Sequence, residues 1–415
     1  MILVATKSAV IIVAGYSHPV DDRLPRSRAT HKGSARAAIS RLRQIEDPLR
    51  RVNGCPAPLV ARCQQARYTW RFPQPQEDLM STQTVPSAEV VFDTLFAYQR
   101  SAALKSAIDL EVFTALDDGA RTASAIAKRC GASERGVRIL CDYLSTIGLL
   151  RKSDGAYQLV VESATFLSKR SPAYLGTTAR FLLRRELKGN FDDLTEAVRR
   201  GGVAPSGDNA VADENPIWVE FARSMMPMMV PAAHAIAELV AKPSTQALKV
   251  LDIAAGHGLF GITIAQRNVR AEIVAVDWKP VLAVAEEHAA AAQVHDRYRT
   301  LPGDAFKVDF GTGYDVALVT NFLHHFDAPT CTNFLKKVYA ALEPGGKVVV
   351  LEFVPNDDRV SPPVPARFSL TMLAGTPGGD AYTFAELRRQ LQDAGFGNVS
   401  AHALPTPETI LLAEK

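Results

Sequence analysis

The sequence of 415 residues has few cysteines and no long hydrophobic run. Its five cysteines lie at positions 55, 63, 130, 141 and 331, so no two of them form a C-x-x-C pair. A disulfide framework or a zinc site is therefore not expected, and reduced thiols fit a cytoplasmic protein. No apolar stretch approaches the ~20 residues that span a bilayer. The short run AVIIVAG at 9–15 lacks a clear signal-peptide cleavage site.

The chain also lacks a strong excess of either charge, with 47 Lys and Arg against 44 Asp and Glu. Residues 1–79 hold 13 basic and 6 acidic residues, which leaves 34 and 38 for the remainder. The basic character therefore belongs to the first fifth of the chain and does not indicate that the folded body binds nucleic acid. With 47% hydrophobic residues, the chain is long enough for two or three cores.

Residues 1–79 show no sustained periodicity, and an amphipathic pattern begins directly after Met80. We interpret 1–79 as a low-order basic extension that lies upstream of the biological start at Met80. A genuine disordered basic arm is the alternative. N-terminal sequencing of the native protein separates the two, because a chain that begins at Met1 would contradict the first interpretation.

The segment 80–170 has the pattern of a winged helix. TASAIAKRC-GAS-ERGVRILCDYLSTIGLL reads as helix, turn and helix with Ser133 as an N-cap, and LRKSDGAYQLV reads as a hairpin with its turn at DG. Such a unit either binds DNA or packs as a dimerisation domain. The second helix carries Glu134, Arg135, Arg138 and Asp142, a mixture that favours packing over a DNA groove.

The segment 171–245 is predicted to be a helical linker with a Gly/Pro break at RRGGVAPSGDNAVADENP. It contains FARSMMPMMVP, which places four methionines in a short span. Methionine is flexible and polarizable, so this stretch suits either the wall of an apolar ligand pocket or ordinary core packing.

From residue 246 onwards, short apolar strands alternate with helices. The runs LKVLDI, AEIVAV, YDVALVT and GKVVVLEFV are strand-like, and PVLAVAEEHAAAAQ and CTNFLKKVYAAL are helical. This alternation predicts an α/β fold with a doubly wound, Rossmann-like parallel sheet. The tail GNVSAHALPTPETILLAEK adds two strands, which suggests an antiparallel hairpin at one edge and seven strands in all.

The loop after the first strand has the G-x-G-x-x-G spacing, at Gly256, Gly258 and Gly261, and Asp277 follows 21 residues after the first glycine. This spacing alone allows a nicotinamide dinucleotide. However, Asp252 just before the loop would repel a pyrophosphate and suits a ligand with an ammonium group. Asp304, beside Phe306, could accept the adenine amine. Three acids at successive strand ends therefore favour S-adenosylmethionine, which has an ammonium, a ribose diol and an adenine amine.

The motifs VLDIAAGHG, VAVDW, PGDAF, NFLHHFD, LEPGGKVVVLEFVP and MLAGTPGGDAYTFAELRRQLQDAGF, in this order, resemble the class I S-adenosylmethionine-dependent O-methyltransferases. The likeness is greatest to the plant-caffeate and bacterial-polyketide type with an N-terminal winged-helix dimerisation domain, and it covers roughly residues 85–415. It implies a homodimer and no metal. Ala254 and Ala255 depart from the family pattern, which generally has glycines there.

The resemblance also assigns roles to individual residues. In this family a His-Asp-Trp triplet follows the fourth strand and its histidine is the general base, which maps the base onto His324 and an orienting acid onto Glu352. A second family glutamate would fall at Ala381 and is missing here. The cofactor-binding set comprises Asp252, Ala254, Gly256, Gly258, Asp277, Trp278, Asp304, Ala305, Phe306 and Asn321. The substrate-pocket set comprises Phe221, Met225, Met226, Met229, His325, Phe368 and Met372.

A base at His324 also makes chemical sense without the resemblance. A phenol with a pKa of ~10 is a poor nucleophile at neutral pH, and an imidazole with a pKa of ~6.5 can take its proton. The leading interpretation is thus methyl transfer to a hydroxyl of a small aromatic or polyketide-like acceptor by a catalytic domain at 246–415. The alternatives are C- or N-methylation, a non-catalytic methyltransferase fold, a winged-helix transcription regulator and a nicotinamide dehydrogenase.

Overall fold

The computed structural model describes residues 87–204, 215–241 and 246–415. The predicted extension 1–79 lies outside the described residues. The N-terminal helices and the hairpin have the following bounds: α1 Glu89–Leu95, α2 Ala97–Asp109, α3 Val112–Asp117, α4 Ala123–Cys130, α5 Glu134–Thr146, β1 Leu150–Ser153, β2 Ala156–Leu159 and α6 Val161–Leu167.

The helix-turn-helix and its wing form where the sequence predicts them. The Thr122 side chain caps α4, and the Ser133 side chain accepts the N–H of Gly136 to cap α5. Asp154 and Gly155 both have positive φ, at 49° and 77°, as the tight turn of a two-residue hairpin requires. These caps and this turn are local, so they specify the helix-turn-helix and its wing without the help of long-range contacts.

Two of the charged residues on α5, Arg138 and Asp142, are paired within the domain. Asp142 accepts from Arg138 at 3.0 Å, from Lys152 of the wing at 2.5 Å and from the Tyr157 hydroxyl at 2.7 Å. These contacts hold the pKa of Asp142 below its usual range, with the Lys152 hydrogen bond as the largest cause. Lys152 and Tyr157 therefore hold the wing against α5, whereas the Arg138 contact lies within the helix.

A second group of helices connects the winged helix to the sheet: α7 Gly176–Leu182, α8 Arg185–Gly189, α9 Leu194–Arg200 and α10 Ile217–Val240. Helix α10 is 24 residues long and contains Pro227 and Pro231. It packs against α7 on one side and against α11 and α12 of the sheet domain on the other. Helix α10, which carries the methionine-rich stretch, therefore packs directly against the sheet domain.

The sheet domain comprises β3 Leu248–Ile253, α11 Leu259–Arg267, β4 Ala271–Asp277, α12 Lys279–Ala291, β5 Tyr298–Pro302, β6 Tyr314–Thr320, α13 Ala328–Ala341, β7 Leu342–Glu352, α14 Pro363–Gly375, α15 Phe384–Asp393, β8 Gly397–Ala403 and β9 Thr409–Glu414. Short 3₁₀ turns span His295–Arg297 and Leu323–His325.

The seven strands follow the order β5-β4-β3-β6-β7-β9-β8. The first five are parallel, and β9 pairs antiparallel with both β7 and β8. Val250 and Leu318 belong to the core under α10, α11 and α12, whereas Leu251 and Val319 belong to the core under α13 and α15. Because both faces are covered, the strands read as continuous apolar runs. The doubly wound sheet with an antiparallel edge pair is thus confirmed.

None of the helices within the described ranges is both long and apolar enough to cross a bilayer.

Candidate functional site

One cavity of about 650 Å³ lies at the carboxyl edge of the sheet. Residues that follow β3, β4, β6 and β7 line it, and the residues before β9 reach the same edge because β9 is antiparallel to β7. Open parallel sheets bind ligands where the strand order reverses, which is here between β3 and β6. Helices α7, α10 and α14 cover the cavity from above.

The loop after β3 forms one end of the cavity. Ala254 and Gly256 have left-handed φ angles of 53° and 56°, and Asp277 Oδ2 accepts the Gly256 N–H at 2.9 Å. Asp277 Oδ1 accepts the N–H of Trp278 at 2.7 Å. A Cβ on Gly256 would meet no atom closer than 3.9 Å, so the loop surface stays open to a ligand. The structure brings these four predicted cofactor residues together in the cavity lining.

Gly258 belongs to the same loop but not to the cavity lining, contrary to its predicted role in cofactor binding. Its φ is 73°, and a Cβ there would lie 2.7 Å from the Tyr298 hydroxyl. A Cβ on Gly261 would lie 2.7 Å from Ile273 and 2.8 Å from Asp252. The second and third glycines of the motif therefore serve close packing of α11 on the sheet.

The prediction that Asp252 faces a ligand ammonium is wrong. Asp252 is fully buried beneath the loop, and its Oδ2 accepts the Gly261 N–H at 3.1 Å. Its Oδ1 has no hydrogen-bond partner among the described residues. Burial raises the pKa of this carboxyl to about 7, and the nearby Asp277 adds to the rise. The side chain points away from the cavity because β3 alternates its side chains between two covered faces.

The raised pKa of Asp252 makes a prediction for stability. Between its unfolded value near 4 and its folded value near 7, the native state binds more protons than the unfolded chain, so the contribution of Asp252 to stability falls as pH rises. Asp252→Asn keeps an acceptor for Gly261 and removes the charge. The ligand-free variant should gain stability over wild type as pH rises from 4 to 7, by up to about 4 kcal/mol. Urea unfolding at several pH values measures this difference, and parallel curves for the two proteins would contradict it.

Asp304, Ala305 and Phe306 were predicted to bind the cofactor, but they do not line the cavity. Asp304 Oδ1 accepts the Phe306 N–H at 2.9 Å, and its Oδ2 pairs with Lys307 at 2.9 Å. The Phe306 ring packs edge-on against Phe326, with ring centres 4.8 Å apart. Asp304 and Phe306 are therefore engaged in local contacts. Phe306 packs behind Phe326, which itself lines the cavity.

His324, which lines the cavity, is paired with the buried Glu352 behind it. Glu352 Oε2 lies 2.5 Å from His324 Nδ1, and Glu352 Oε1 accepts the N–H groups of Phe322 and Leu323 at 3.1 and 2.8 Å. Because a carboxylate can only accept, Nδ1 carries a proton in this contact, and Nε2 is the ring nitrogen left for a ligand. No hydrogen bond from the described residues reaches Nε2, and His324 lines the cavity. The geometry is that of an imidazole oriented by a carboxylate.

Two neighbours of His324 present unpaired polar atoms. Asn321 has a left-handed φ of 52°, its Nδ2 donates to Met229 Sδ at 3.5 Å, and its Oδ1 has no partner within the described segments. His325 Nδ1 is likewise unpaired there. Burial, together with the adjacent His324, holds the pKa of His325 well below its ordinary value. Asn321, a predicted cofactor residue, and His325, a predicted substrate-pocket residue, both line the cavity, and the low pKa of His325 makes it a neutral group there.

The apolar wall comes mainly from α10 and α14. Of the predicted pocket residues, Phe221, Met225, Met229, Phe368 and Met372 line the cavity. Met226 does not, because it lies one step around α10 from Met225 and Met229, which share a helix face. Met228 occupies the lining in its place.

Many lining residues were not predicted from the sequence, among them the polar or aromatic residues Trp218, His257 and Glu408. Burial lowers the pKa of His257 to about 3, and its Nδ1 accepts the Leu259 N–H at 3.2 Å. The only sequence signal for His257 was its place between two loop glycines, and Glu408 had none beyond its position before the last strand. Within the described ranges, no group of three His, Cys, Asp or Glu side chains could hold a metal ion.

Comparison with protein families gives two matches. A family model for an O-methyltransferase domain matches residues 213–397, and a model for an O-methyltransferase dimerisation domain matches residues 92–169. Among characterised proteins, the chain is 29% identical over 311 residues to 3-hydroxy-5-methyl-1-naphthoate 3-O-methyltransferase of Streptomyces sahachiroi. That alignment covers 74% of this chain and 89% of the relative.

A second relative is the tetracenomycin polyketide synthesis 8-O-methyl transferase TcmO of Streptomyces glaucescens, with 28% identity over 78% of this chain and 96% of that protein. Among solved structures, a protein of Nostoc punctiforme assigned as an O-methyltransferase is 49% identical. It superposes with a TM-score of 0.76 and covers 80% of this chain and 100% of its own.

Proposed function

Because the chain belongs to the S-adenosylmethionine-dependent O-methyltransferases that carry an N-terminal dimerisation domain, we propose that it methylates a hydroxyl of a flat, apolar small molecule with His324 as general base. The observation that carries this proposal is the free Nε2 of His324 on the wall of a cavity of about 650 Å³, behind which Glu352 fixes the ring.

The cofactor half of the cavity fits S-adenosylmethionine. Asp277 offers a carboxylate for a diol, and Asn321 Oδ1 is an unpaired acceptor near the middle of the cavity edge. The open face of Gly256 allows close approach to the backbone. We assign the cofactor to Ala254, Gly256, Asp277, Trp278 and Asn321. When bound, it supplies an electrophilic methyl group on a sulfonium.

His324 removes the proton of the acceptor hydroxyl. Nε2 takes the proton as the oxygen becomes the nucleophile, and the Glu352 carboxylate stabilises the imidazolium that forms. Glu352 can do so without moving because backbone N–H groups already hold its other oxygen. The remaining task of the protein is alignment of the acceptor, which the methionine and phenylalanine walls perform.

The acceptor is proposed to be aromatic or polyketide-like. Phe221, Phe353 and Phe368 line the cavity with the α10 methionines, and such walls complement a flat ring system. The two relatives act, by their names, on a hydroxynaphthoate and in tetracenomycin polyketide synthesis. Both names agree with an acceptor of this kind.

The proposal is tested by calorimetric titration with S-adenosylhomocysteine, followed by methyl transfer to a panel of phenols. Asp277→Ala should lose at least ~10-fold in affinity, because it removes a ligand contact and the anchor of Gly256. Asp296→Ala, at an exposed site, is the matched control. Carbon-13 NMR of the product distinguishes O- from C-methylation, and absence of S-adenosylhomocysteine binding by wild type would refute the proposal.

The dimer is proposed to form through α1. Its side chains include Phe92, 56% exposed, and Leu95, 60% exposed, and the ring of Phe96 stacks on that of Phe92. Phe92→Ser with Phe96→Ser should convert the dimer to a monomer in analytical ultracentrifugation. Val161→Ser removes an apolar side chain that is 78% exposed and lies outside α1, and it should leave the dimer intact. A dimeric double variant would contradict this assignment.

A further inference from the structure

Glu408 is a carboxyl group buried in the cavity wall. Only 2% of the residue is exposed, and it lines the cavity together with Thr406 and Pro407. It directly precedes β9, whose first residue Thr409 pairs with Glu352 of β7. The strand register therefore places Glu408 beside the Glu352–His324 pair.

This carboxyl group has no partner that explains its burial. No hydrogen bond of good geometry reaches either oxygen from the described residues, although the Thr406 hydroxyl and the backbone N–H of Glu408 itself are close enough to oppose part of the pKa rise. Burial is the largest cause of that rise, and the charge on Glu352 adds to it. Buried polar groups are almost always paired, so an unpaired carboxyl group that faces a cavity indicates a partner supplied by a ligand.

The order of the strands indicates whether the cofactor or the acceptor is the ligand that Glu408 faces. Asp277 ends β4, whereas Glu408 directly precedes β9, and β3, β6 and β7 lie between these two strands. Four strand spacings of ~4.8 Å separate the two by about 19 Å along the edge. His324, which follows β6, lies between them. Glu408 thus belongs to the half of the cavity on the far side of the proposed base from the cofactor.

We propose that Glu408 binds a second hydrogen-bond donor of the acceptor, a ring hydroxyl other than the one that is methylated, and thereby selects dihydroxylated aromatic acceptors. This inference rests on the proposed function and extends it to substrate class. The same cavity is lined by Phe353, Phe368 and Met372, which can contact a ring but cannot discriminate its hydroxyls. The carboxyl group supplies that discrimination, because a buried polar group left unpaired penalises the analogue without the hydroxyl.

The test compares wild type, Glu408→Gln and Glu408→Leu on two pairs of probes, each a diol and its matched monophenol. One pair is 2,3-dihydroxynaphthalene and 2-naphthol, and the other is 1,3-dihydroxynaphthalene and 1-naphthol. Wild type should prefer the diol of at least one pair by ~10²-fold or more in kcat/KM. Glu408→Gln should keep part of this preference. Glu408→Leu should reduce it to a few-fold, with little change for the monophenol. Glu272→Leu, at an exposed position of β4, is the control and should behave as wild type.

Binding of each probe to the enzyme loaded with S-adenosylhomocysteine is measured beside turnover. Diol-selective binding without methyl transfer would refute the proposed function and still support the role of Glu408. Equal binding of the two members of every pair, including no binding of either, would overturn the inference. So would a preference that Glu408→Leu leaves intact.

A ligand-free measurement tests the premise. If Glu408 is unpaired until a ligand binds, replacing it with leucine removes an unpaired buried carboxyl group. The melting temperature of Glu408→Leu should then be about 2–4 °C above that of wild type. A lower melting temperature of Glu408→Leu would mean that the carboxyl group holds the fold together, and the inference would fall.

Discussion

Replacing His324 with alanine is expected to lower kcat by ~10²–10⁴-fold and to leave the affinity for S-adenosylhomocysteine within about twofold of wild type. The imidazole is proposed to act only on the acceptor proton, and the cofactor assignment uses Asn321 and residues at the ends of β3 and β4, not His324. Single-turnover methyl transfer and calorimetry on the same preparations measure the two quantities. A variant that loses cofactor affinity would show that His324 shapes the cavity instead.

Two companion variants separate the base from its support. Glu352→Gln keeps the size of the side chain but removes the charge that would stabilise the imidazolium, so kcat should fall while His324 stays in place. His325→Ala removes the neighbouring ring and should cost kcat much less than His324→Ala. If His325→Ala is the more damaging change, the roles of the adjacent histidines are reversed.

Replacing Gly379 with alanine is expected to lower kcat by ~10²-fold although the residue touches no proposed ligand. A Cβ at Gly379 would lie 2.2 Å from the carbonyl oxygen of His324 and 2.6 Å from Thr376 Oγ1. The turn that carries His324 must therefore move, and a shift near 1 Å in a catalytic group costs about this factor. Steady-state kinetics with any accepted phenol measure the loss.

The chain supplies its own control one residue earlier. A Cβ at Gly378 would meet Asp327 at 3.5 Å, which is ordinary van der Waals contact. Gly378→Ala should therefore retain kcat within a few-fold, and comparable melting temperatures would show that Gly379→Ala still folds. Wild-type kcat in Gly379→Ala would show that the loop yields without moving the base.

The fold was predictable because its signals are local. The apolar strands between helices, the Ser133 cap and the Asp154–Gly155 turn each specify their own segment, and the order of the segments then restricts the topology. The position of β9 between β7 and β8 was less accessible, since two adjacent apolar runs do not reveal which of them is the outer strand.

The site was predictable only where position along a strand decides it. Asp277 and His324 follow strands whose carboxyl ends meet at one edge, so sequence position was enough. Asp252 also lies at the end of a strand, but the alternation of side chains along β3 directs its carboxyl group into the core under α11. Met226 and Met228 are the same residue type on the same helix, and only their angular positions around α10 decide which of them lines the cavity. Glu408 comes from the far end of the chain, and only the pairing of β9 with β7 brings it to the cavity.

The interior place of β9 has a consequence for synthesis. During translation β7 emerges with its outer edge unpaired, and the strand that covers this edge is the last of the sheet in chain order. Domains fold as their segments become available, so the sheet stays open at β7 until β9 is made. A chain that stops short of β9 therefore loses an inner strand rather than an edge, and exposes a row of unpaired backbone groups that promotes aggregation.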